Sequence, residues 1–248
     1  MAEIHLFDLL SRRDGGITSA TRFLNEAELA LTLRDPILRG ENYLVSGGYK
    51  DSIRARIIFP AYWEEESVNL TEYVECVKIT GSKYTKLSHS DFLGSLTGIG
   101  ISRDALGDIV VSEDNTSAVL FCEPSIKKFL LCEPSPLERV GREKVKISDY
   151  IPGDDFSSGR GYKPVCLFVS SMRLDCIAAA LTGVSREKIK ETIASGNVVL
   201  NYIVAESTDK TLCTGDILSI RGNGKYRIDI SAGMTKKGRI KLNVLKYV

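Results

Sequence analysis

The chain has 248 residues, of which 43% are hydrophobic and 26% are charged, with a formal net charge of +1. This composition excludes intrinsic disorder, and the length leaves room for two or three compact domains. Six cysteines without a C-x-x-C pair, two histidines and no apolar run of roughly 18 residues predict a cytoplasmic protein without a metal, cofactor or membrane partner.

The first 68 residues predict a small domain of helices and strands. Apolar residues recur at helical spacing within residues 1–35, and Pro36 ends this helical region. Two short strands are predicted at 43–45 and 54–59, on either side of Gly47-Gly48-Tyr49. We therefore take residues 1–68 as an N-terminal α+β domain.

Residues 69–150 predict a second domain with the order β-α-β-β-α-β, the split ferredoxin-like plan. RNA-recognition modules share this plan, but the strand at 117–122 lacks their aromatic stacking residues. We therefore expect a structural role here rather than base stacking. The predicted strands lie near 74–80, 108–112, 117–122 and 144–147.

Residues 151–164 are rich in Gly, Ser and Pro and are the expected linker to a C-terminal domain at 165–248. Charge changes sign along the chain. Residues 170–248 carry 13 Lys and Arg against 7 Asp and Glu, whereas residues 1–169 carry 20 against 25. A basic terminal domain on an acidic body indicates a polyanion as ligand.

Two short helices follow in the C-terminal domain, joined by a tight corner. Gly183 is expected to end the first helix. Ser185 is expected to cap the second, because its hydroxyl can accept a hydrogen bond from a backbone N–H that has no partner within the helix. Val184 and Ile189 have the spacing of a hydrophobic staple, which would fix the angle between the helices. Asp175 lies in the first helix, where we expect it to cap or brace the helix.

Cations on the second helix predict a phosphate site. Arg186 and Lys190 lie one turn apart near the helix N-terminus, where the helix dipole also favours anions, and Arg173 could join them. The alternative is a solvated face on which Lys190 pairs with Glu187, and Lys188 with Glu191, at three-residue spacing.

Further along, Lys225 and Arg227 flank Tyr226 after a glycine-rich turn. This cation–aromatic–cation triplet could hold a phosphate and stack a base. The alternative is an ordinary hairpin with polar outward positions. The following turn adds Lys236 and Lys237.

Residues 173–220 resemble the S-four RNA-binding domain, named after a small-subunit ribosomal protein. The resemblance implies a helix corner that binds structured RNA. It rests on Arg173-Leu174-Asp175, Ser185-Arg186, Ile193, Gly196, Val198, Asn201 and Gly215-Asp216. With the triplet above, the expected RNA-binding residues are Arg173, Ser185, Arg186, Lys188, Lys190, Asn197, Asn201, Lys225, Tyr226 and Arg227.

Nearly the whole chain is similar to YlmH-type proteins. The similarity implies a non-enzymatic, ribosome-associated RNA binder that acts on stalled large subunits. Ribosomal RNA is then the expected ligand and transfer RNA a further candidate, and no DNA partner is expected. The motifs are Gly47-Gly48-Tyr49, Arg54-Ala55-Arg56, His89–Leu96, Gly98–Asp104 and Leu106–Ile109.

Two other functions are compatible with the sequence. Arg173-Leu174-Asp175 partly matches the Gly-Arg-Leu-Asp setting of pseudouridine synthases, although Met172 replaces the Gly. Asp104 and Asp108 are the other candidate acids, for which we expect structural pairing with arginine rather than catalysis. A protein-interaction adaptor that uses the acidic body is the third interpretation.

Overall fold

The computed structural model describes residues 5–50, 52–64, 67–153, 155–159, 161–235 and 238–247. It divides into two compact units, Met1–Gly159 and Arg160–Val248, and the α+β class predicted from the sequence is confirmed. The boundary lies inside the expected linker, of which positions 154 and 160 fall outside the described residues, as do Lys236 and Lys237. No helix in the described ranges is long and apolar enough to cross a membrane. The three-domain division remains a prediction.

The first unit begins with a small antiparallel sheet and two short helices. Its elements are α1 (Leu6–Asp14), β1 (Ser19–Ala20), α2 (Glu26–Thr32), β2 (Leu44–Ser46) and β3 (Arg56–Phe59). The strands lie in the order β1-β3-β2. Asn25 caps α2 in a capping box with Glu28, which satisfies backbone N–H groups at the start of the helix. Leu24, Ile57 and Phe59 are fully buried in this core.

The second part of this unit has the predicted order of strands and helices, with one added hairpin. Its elements are β4 (Glu75–Thr80), α3 (His89–Gly98), β5 (Leu106–Val111), β6 (Ser117–Cys122), α4 (Pro124–Leu130), β7 (Arg139–Val140), β8 (Glu143–Lys144) and β9 (Lys146–Asp149). The antiparallel sheet has the order β5-β6-β4-β9. The hairpin β7–β8 was not predicted, because two-residue strands leave no periodic pattern.

Both faces of this sheet are covered. Helix α3 buries Phe92 and Leu96 on one face, and α4 adds Leu130. On the other face Phe121 packs with Phe23 from the N-terminal segment, and further aromatic rings cover the sheet around Phe121. Every residue of β6 is accordingly buried.

The aromatic cluster joins the two parts of the unit. Tyr49 and Phe156 lie 4.8 and 5.5 Å from Phe121, measured between ring centroids. Tyr49 also donates a hydrogen bond from its hydroxyl to the buried Asp108 carboxylate at 2.7 Å, and the Ile53 N–H donates to the same carboxylate at 2.7 Å. The loop between β2 and β3 is therefore anchored on the larger sheet.

The second unit is a six-stranded antiparallel sheet with two helices. Its elements are β10 (Tyr162–Val169), α5 (Leu174–Thr182), α6 (Arg186–Ala194), β11 (Val198–Leu200), β12 (Ile203–Val204), β13 (Ile217–Ile220), β14 (Gly224–Met234) and β15 (Ile240–Tyr247). The strand order is β10-β15-β14-β13-β11-β12. Leu174, Ile177 and Ile189 from the helices pack on the sheet face that carries Leu218 and Val244.

The opposite face of this sheet, here called the outer face, is not covered by either helix. Strand residues alternate between the two faces, so the register assigns each outward side chain. Phe168 is 52% exposed on this face. The outward side chains include Tyr162, Phe168, Lys225, Arg227, Lys241 and Tyr247.

Candidate nucleic-acid interface

The corner between α5 and α6 has the predicted backbone. Gly183 has φ of +72° and ends α5 in the left-handed region, and the Ser185 hydroxyl accepts a hydrogen bond from the Lys188 N–H at 3.3 Å. The predicted staple differs from the structure, because Ile189 is buried whereas Val184 is 41% exposed. The helices are instead held by their shared core and by a buried carboxylate.

That carboxylate is Asp175, in the first turn of α5. Its side chain is fully buried and accepts hydrogen bonds from Arg173 Nε at 3.2 Å and from Arg186 Nη2 at 2.5 Å. Burial by itself raises the pKa of Asp175, but the hydrogen bonds and charges of the two arginines outweigh burial and hold the pKa at about 2. Asp175 is therefore ionised at neutral pH and fixes both guanidinium groups.

We call Arg173, Asp175 and Arg186 the arginine fork. The arginine side chains are 41% and 49% exposed, and one carboxylate balances only one of their two charges. Each guanidinium has five N–H donors in a rigid plane, so groups not bonded to Asp175 can bind phosphate oxygens. The sequence predicted Arg186 beside Lys190, whereas the structure joins Arg186 to Arg173 through the expected brace, Asp175.

Lys188 and Lys190 form the ion pairs along the helix that were the alternative to a phosphate site. Lys188 Nζ lies 2.8 Å from a Glu191 carboxylate oxygen, and Lys190 Nζ lies 2.9 Å from that of Glu187. The predicted cradle of Arg186 and Lys190 is therefore corrected: the Lys190 charge is balanced by a neighbour on its own helix. These exposed pairs are weak and easily screened by salt, so phosphate could displace the glutamates.

The two predicted asparagines differ in their contacts. Asn197 donates from its amide nitrogen to Ser195 Oγ at 2.7 Å and accepts at 3.4 Å from Arg221. Asn201 donates from its amide to Asp216 at 2.7 Å and accepts from the Ile217 N–H at 2.7 Å. Both ends of the Asn201 amide thus brace the β11–β12 turn against β13. RNA contact by either asparagine stays a prediction.

The triplet Lys225-Tyr226-Arg227 does not form the predicted stacking site. Tyr226 is only 4% exposed, and its hydroxyl donates to the Asn223 carbonyl at 2.9 Å. The reason is strand geometry: successive side chains point to opposite faces, so two outward cations force the ring between them into the core. Lys225 and Arg227 do lie together on the outer face, among tyrosines from other strands.

Sequence reasoning missed Arg221. This exposed side chain reaches Asn197 and lines an open hollow of about 690 Å³ beside Lys225. Arg221 directly follows β13 and precedes Gly222. A cation at such a strand-to-turn junction is exposed to solvent, and this was the signal that could have identified it. The hollow thus brings two predicted residues together with one that was not predicted.

Replacing Asp175 by asparagine is expected to destabilise the second unit in a pH-dependent way. Because the folded-state pKa lies below the usual value of 3.8, the charged carboxylate contributes stability above about pH 4, and this contribution is lost as the pH falls towards 2. After screening at the half-exposed arginines, we expect a loss of about 1–2 kcal/mol at pH 7. Urea unfolding of both proteins at pH 7, 5 and 3 measures this loss of unfolding free energy. If the difference between variant and wild type is as large at pH 3 as at pH 7, the charge of Asp175 is not what stabilises the unit.

One family model and two known proteins are similar to this chain. Residues 73–151 match a family model described as "Putative RNA-binding domain in YlmH". Ribosome-associated protein quality control protein P2 of Bacillus subtilis is 33% identical over 196 residues, which cover 78% of this chain and 74% of that protein. The solved structure of cell division protein YlmH from Streptococcus pneumoniae is 18% identical, with a TM-score of 0.46 over 58% of this chain and 86% of that one. The chain belongs to the YlmH family of RNA-binding proteins.

Proposed function

We propose that this protein binds structured RNA on ribosomal particles in the cytoplasm and acts in the quality control of stalled large subunits. Ribosomal RNA is the proposed ligand, with transfer RNA as a further one. The Bacillus subtilis relative carries ribosome-associated quality control in its name, and the matched family model is described as RNA-binding. Both support the proposal.

The arginine fork is the observation that carries the proposal. A buried carboxylate holds the two guanidinium groups in fixed positions, with about half of each side chain open to solvent. Because less side-chain freedom is then lost on binding, such a fork suits the regularly spaced phosphates of a folded RNA. Flexible lysines paired with glutamates on the same helix offer no comparable preorganisation.

The second part of the first unit contributes less to this proposal, although the family model matches residues 73–151 there. Its sheet carries helices on one face and the aromatic cluster around Phe121 on the other. Single-stranded RNA bound by stacking needs an open sheet face. We therefore place the main RNA contact in the second unit.

We propose that the protein acts by binding rather than by catalysis. The acid of the Arg173-Leu174-Asp175 motif is buried and bonded to two arginines, which is a structural role. Asp104 bonds to Arg22 at 3.2 Å, and Asp108 accepts hydrogen bonds from Tyr49 and backbone N–H groups. Mass spectrometry of RNA incubated with the protein tests this point, and newly formed pseudouridine would refute it.

Sucrose-gradient fractionation of cell lysate tests the proposed function as a whole. We expect the protein to co-sediment with large-subunit particles at low salt and to be released as salt rises, because phosphate contacts are salt-dependent. A protein that stays in the top fractions at all salt concentrations would refute ribosome binding. Co-sedimentation that does not weaken with salt would favour an adaptor that binds ribosomal protein.

A further inference from the structure

Tyrosines and cations form one connected array on the outer face of the second unit. Lys225 Nζ lies 4.8 Å from the ring centroids of both Tyr202 and Tyr247 and donates a hydrogen bond to the Tyr202 hydroxyl at 2.9 Å. The rings of Tyr247 and Tyr162 meet edge to face with centroids 5.2 Å apart, and Arg227 lies 5.0 Å from the Tyr162 centroid. Five side chains from four segments of the chain thus converge.

Tyr202 reaches the array through an unfavourable backbone conformation. Asn201 and Tyr202 form the two-residue turn between β11 and β12, with φ of +48° and +66°. This type of turn favours glycine at its second position, because a bulky residue clashes in the left-handed region. A strained residue of this kind points to a functional demand for its side chain.

The hollow beside Lys225 has the chemistry of an anion site. Its described lining includes the cations Arg221 and Lys225 and the polar side chains of Asn197, Ser219 and Asn223, and none of these lining residues is acidic. The hollow is open to solvent and has a volume of about 690 Å³. A phosphate group with its sugar can therefore enter next to the tyrosine array.

The alternation of rings and cations decides which partner fits. A helix of another protein would need a continuous apolar surface, whereas here Lys225 lies between Tyr202 and Tyr247 and Arg227 lies against Tyr162. Positive charge interleaved with aromatic rings is typical of surfaces that bind single-stranded nucleic acid through phosphates and stacked bases.

We propose that the outer face binds an unpaired segment of RNA, with phosphates at Arg221 and Lys225 and bases stacked on Tyr202 and Tyr247. This inference rests on the proposed function, because it assigns a second contact to the same class of ligand. Helices α5 and α6 pack on the other face of the sheet, so the contact is separate from the arginine fork.

A Tyr202→Gly variant of the full chain provides the test. It removes the ring while giving the turn the residue that its backbone favours, so we expect unchanged or higher thermal stability. With a short fluorescent oligouridine as probe, we expect about ten-fold weaker binding, from the loss of one stacking partner. Binding of an RNA hairpin should not change.

A double variant, Arg221→Gln with Lys225→Gln, tests the phosphate contacts. For oligouridine, the slope of log affinity against log salt concentration should fall by about 1.4.

The two probes separate the inference from the proposed function. If the wild type binds the hairpin but not oligouridine, or if Tyr202→Gly leaves oligouridine affinity unchanged, the inference is wrong and the proposed function stands. Failure to bind either RNA refutes both. If Tyr202→Gly no longer co-sediments with ribosomes but keeps its oligouridine affinity, the outer face binds a protein partner and the inference is overturned.

Discussion

Replacing the arginine fork by Arg173→Gln, Asp175→Asn and Arg186→Gln together is expected to weaken binding to ribosomal RNA about a hundred-fold. Two charge-assisted hydrogen-bond donors are lost, each worth about 1.5 kcal/mol or more. The slope of log affinity against log salt should fall by about 0.7–0.9, because the triple substitution removes one net positive charge and with it the neutralisation of about one phosphate. Fluorescence anisotropy with a ribosomal RNA fragment across a salt series measures both values.

The triple substitution is chosen so that the fold survives. Replacing the two arginines alone would leave the Asp175 carboxylate buried and unpaired, which is strongly destabilising. The triple variant has a neutral asparagine at position 175 and therefore leaves no buried charge. Lys188→Gln is the matched control, since it also changes the net charge by −1 beside the same corner. We expect an effect below about three-fold, because Lys188 is paired with Glu191. If the control and the triple variant weaken binding equally, diffuse charge rather than the fork explains the affinity.

Local signals predicted the two caps of the helix corner correctly, but not its hydrophobic staple. Gly183 and Ser185 act through backbone conformation and a hydrogen bond within three residues, so their roles can be deduced from the sequence. The pairing of Lys188 and Lys190 with glutamates was foreseen as an alternative for the same reason. Interactions between residues three or four positions apart are set by helix geometry and need no tertiary information.

Tertiary contacts account for what the sequence could not predict. The ion pair between Asp175 and Arg186 spans 11 positions, and it forms only because two helices pack on one sheet. The tyrosines around Lys225 come from a turn and a strand distant in the sequence, whereas Tyr226, its neighbour in the chain, is in the core. The sequence therefore indicated an aromatic ring beside cations but assigned it to Tyr226, which is buried, and base stacking on the other tyrosines stays a prediction.

Gly48 shows how one residue without a side chain joins the two parts of the first unit. Its φ is +93°, and a Cβ atom there would lie 2.4 Å from the Phe121 ring. We expect Gly48→Ala to lower the free energy of unfolding of this unit by about 3 kcal/mol, from left-handed strain and overpacking together. Urea unfolding followed by the fluorescence of Trp63, the single tryptophan, and by circular dichroism measures the change.

Gly94→Ala is the matched control, because it adds the same methyl group to the same unit. Gly94 lies inside α3, and a Cβ atom there would meet nothing within 4 Å. Since alanine restricts the unfolded chain and favours a helix, we expect this substitution to raise stability by about 0.5–1 kcal/mol. Left-handed strain alone accounts for a loss of about 1–2 kcal/mol at Gly48, so a loss of about 3 kcal/mol follows only if the loop is packed against the aromatic cluster. A Gly48→Ala protein as stable as the wild type would mean that the loop does not lie on Phe121.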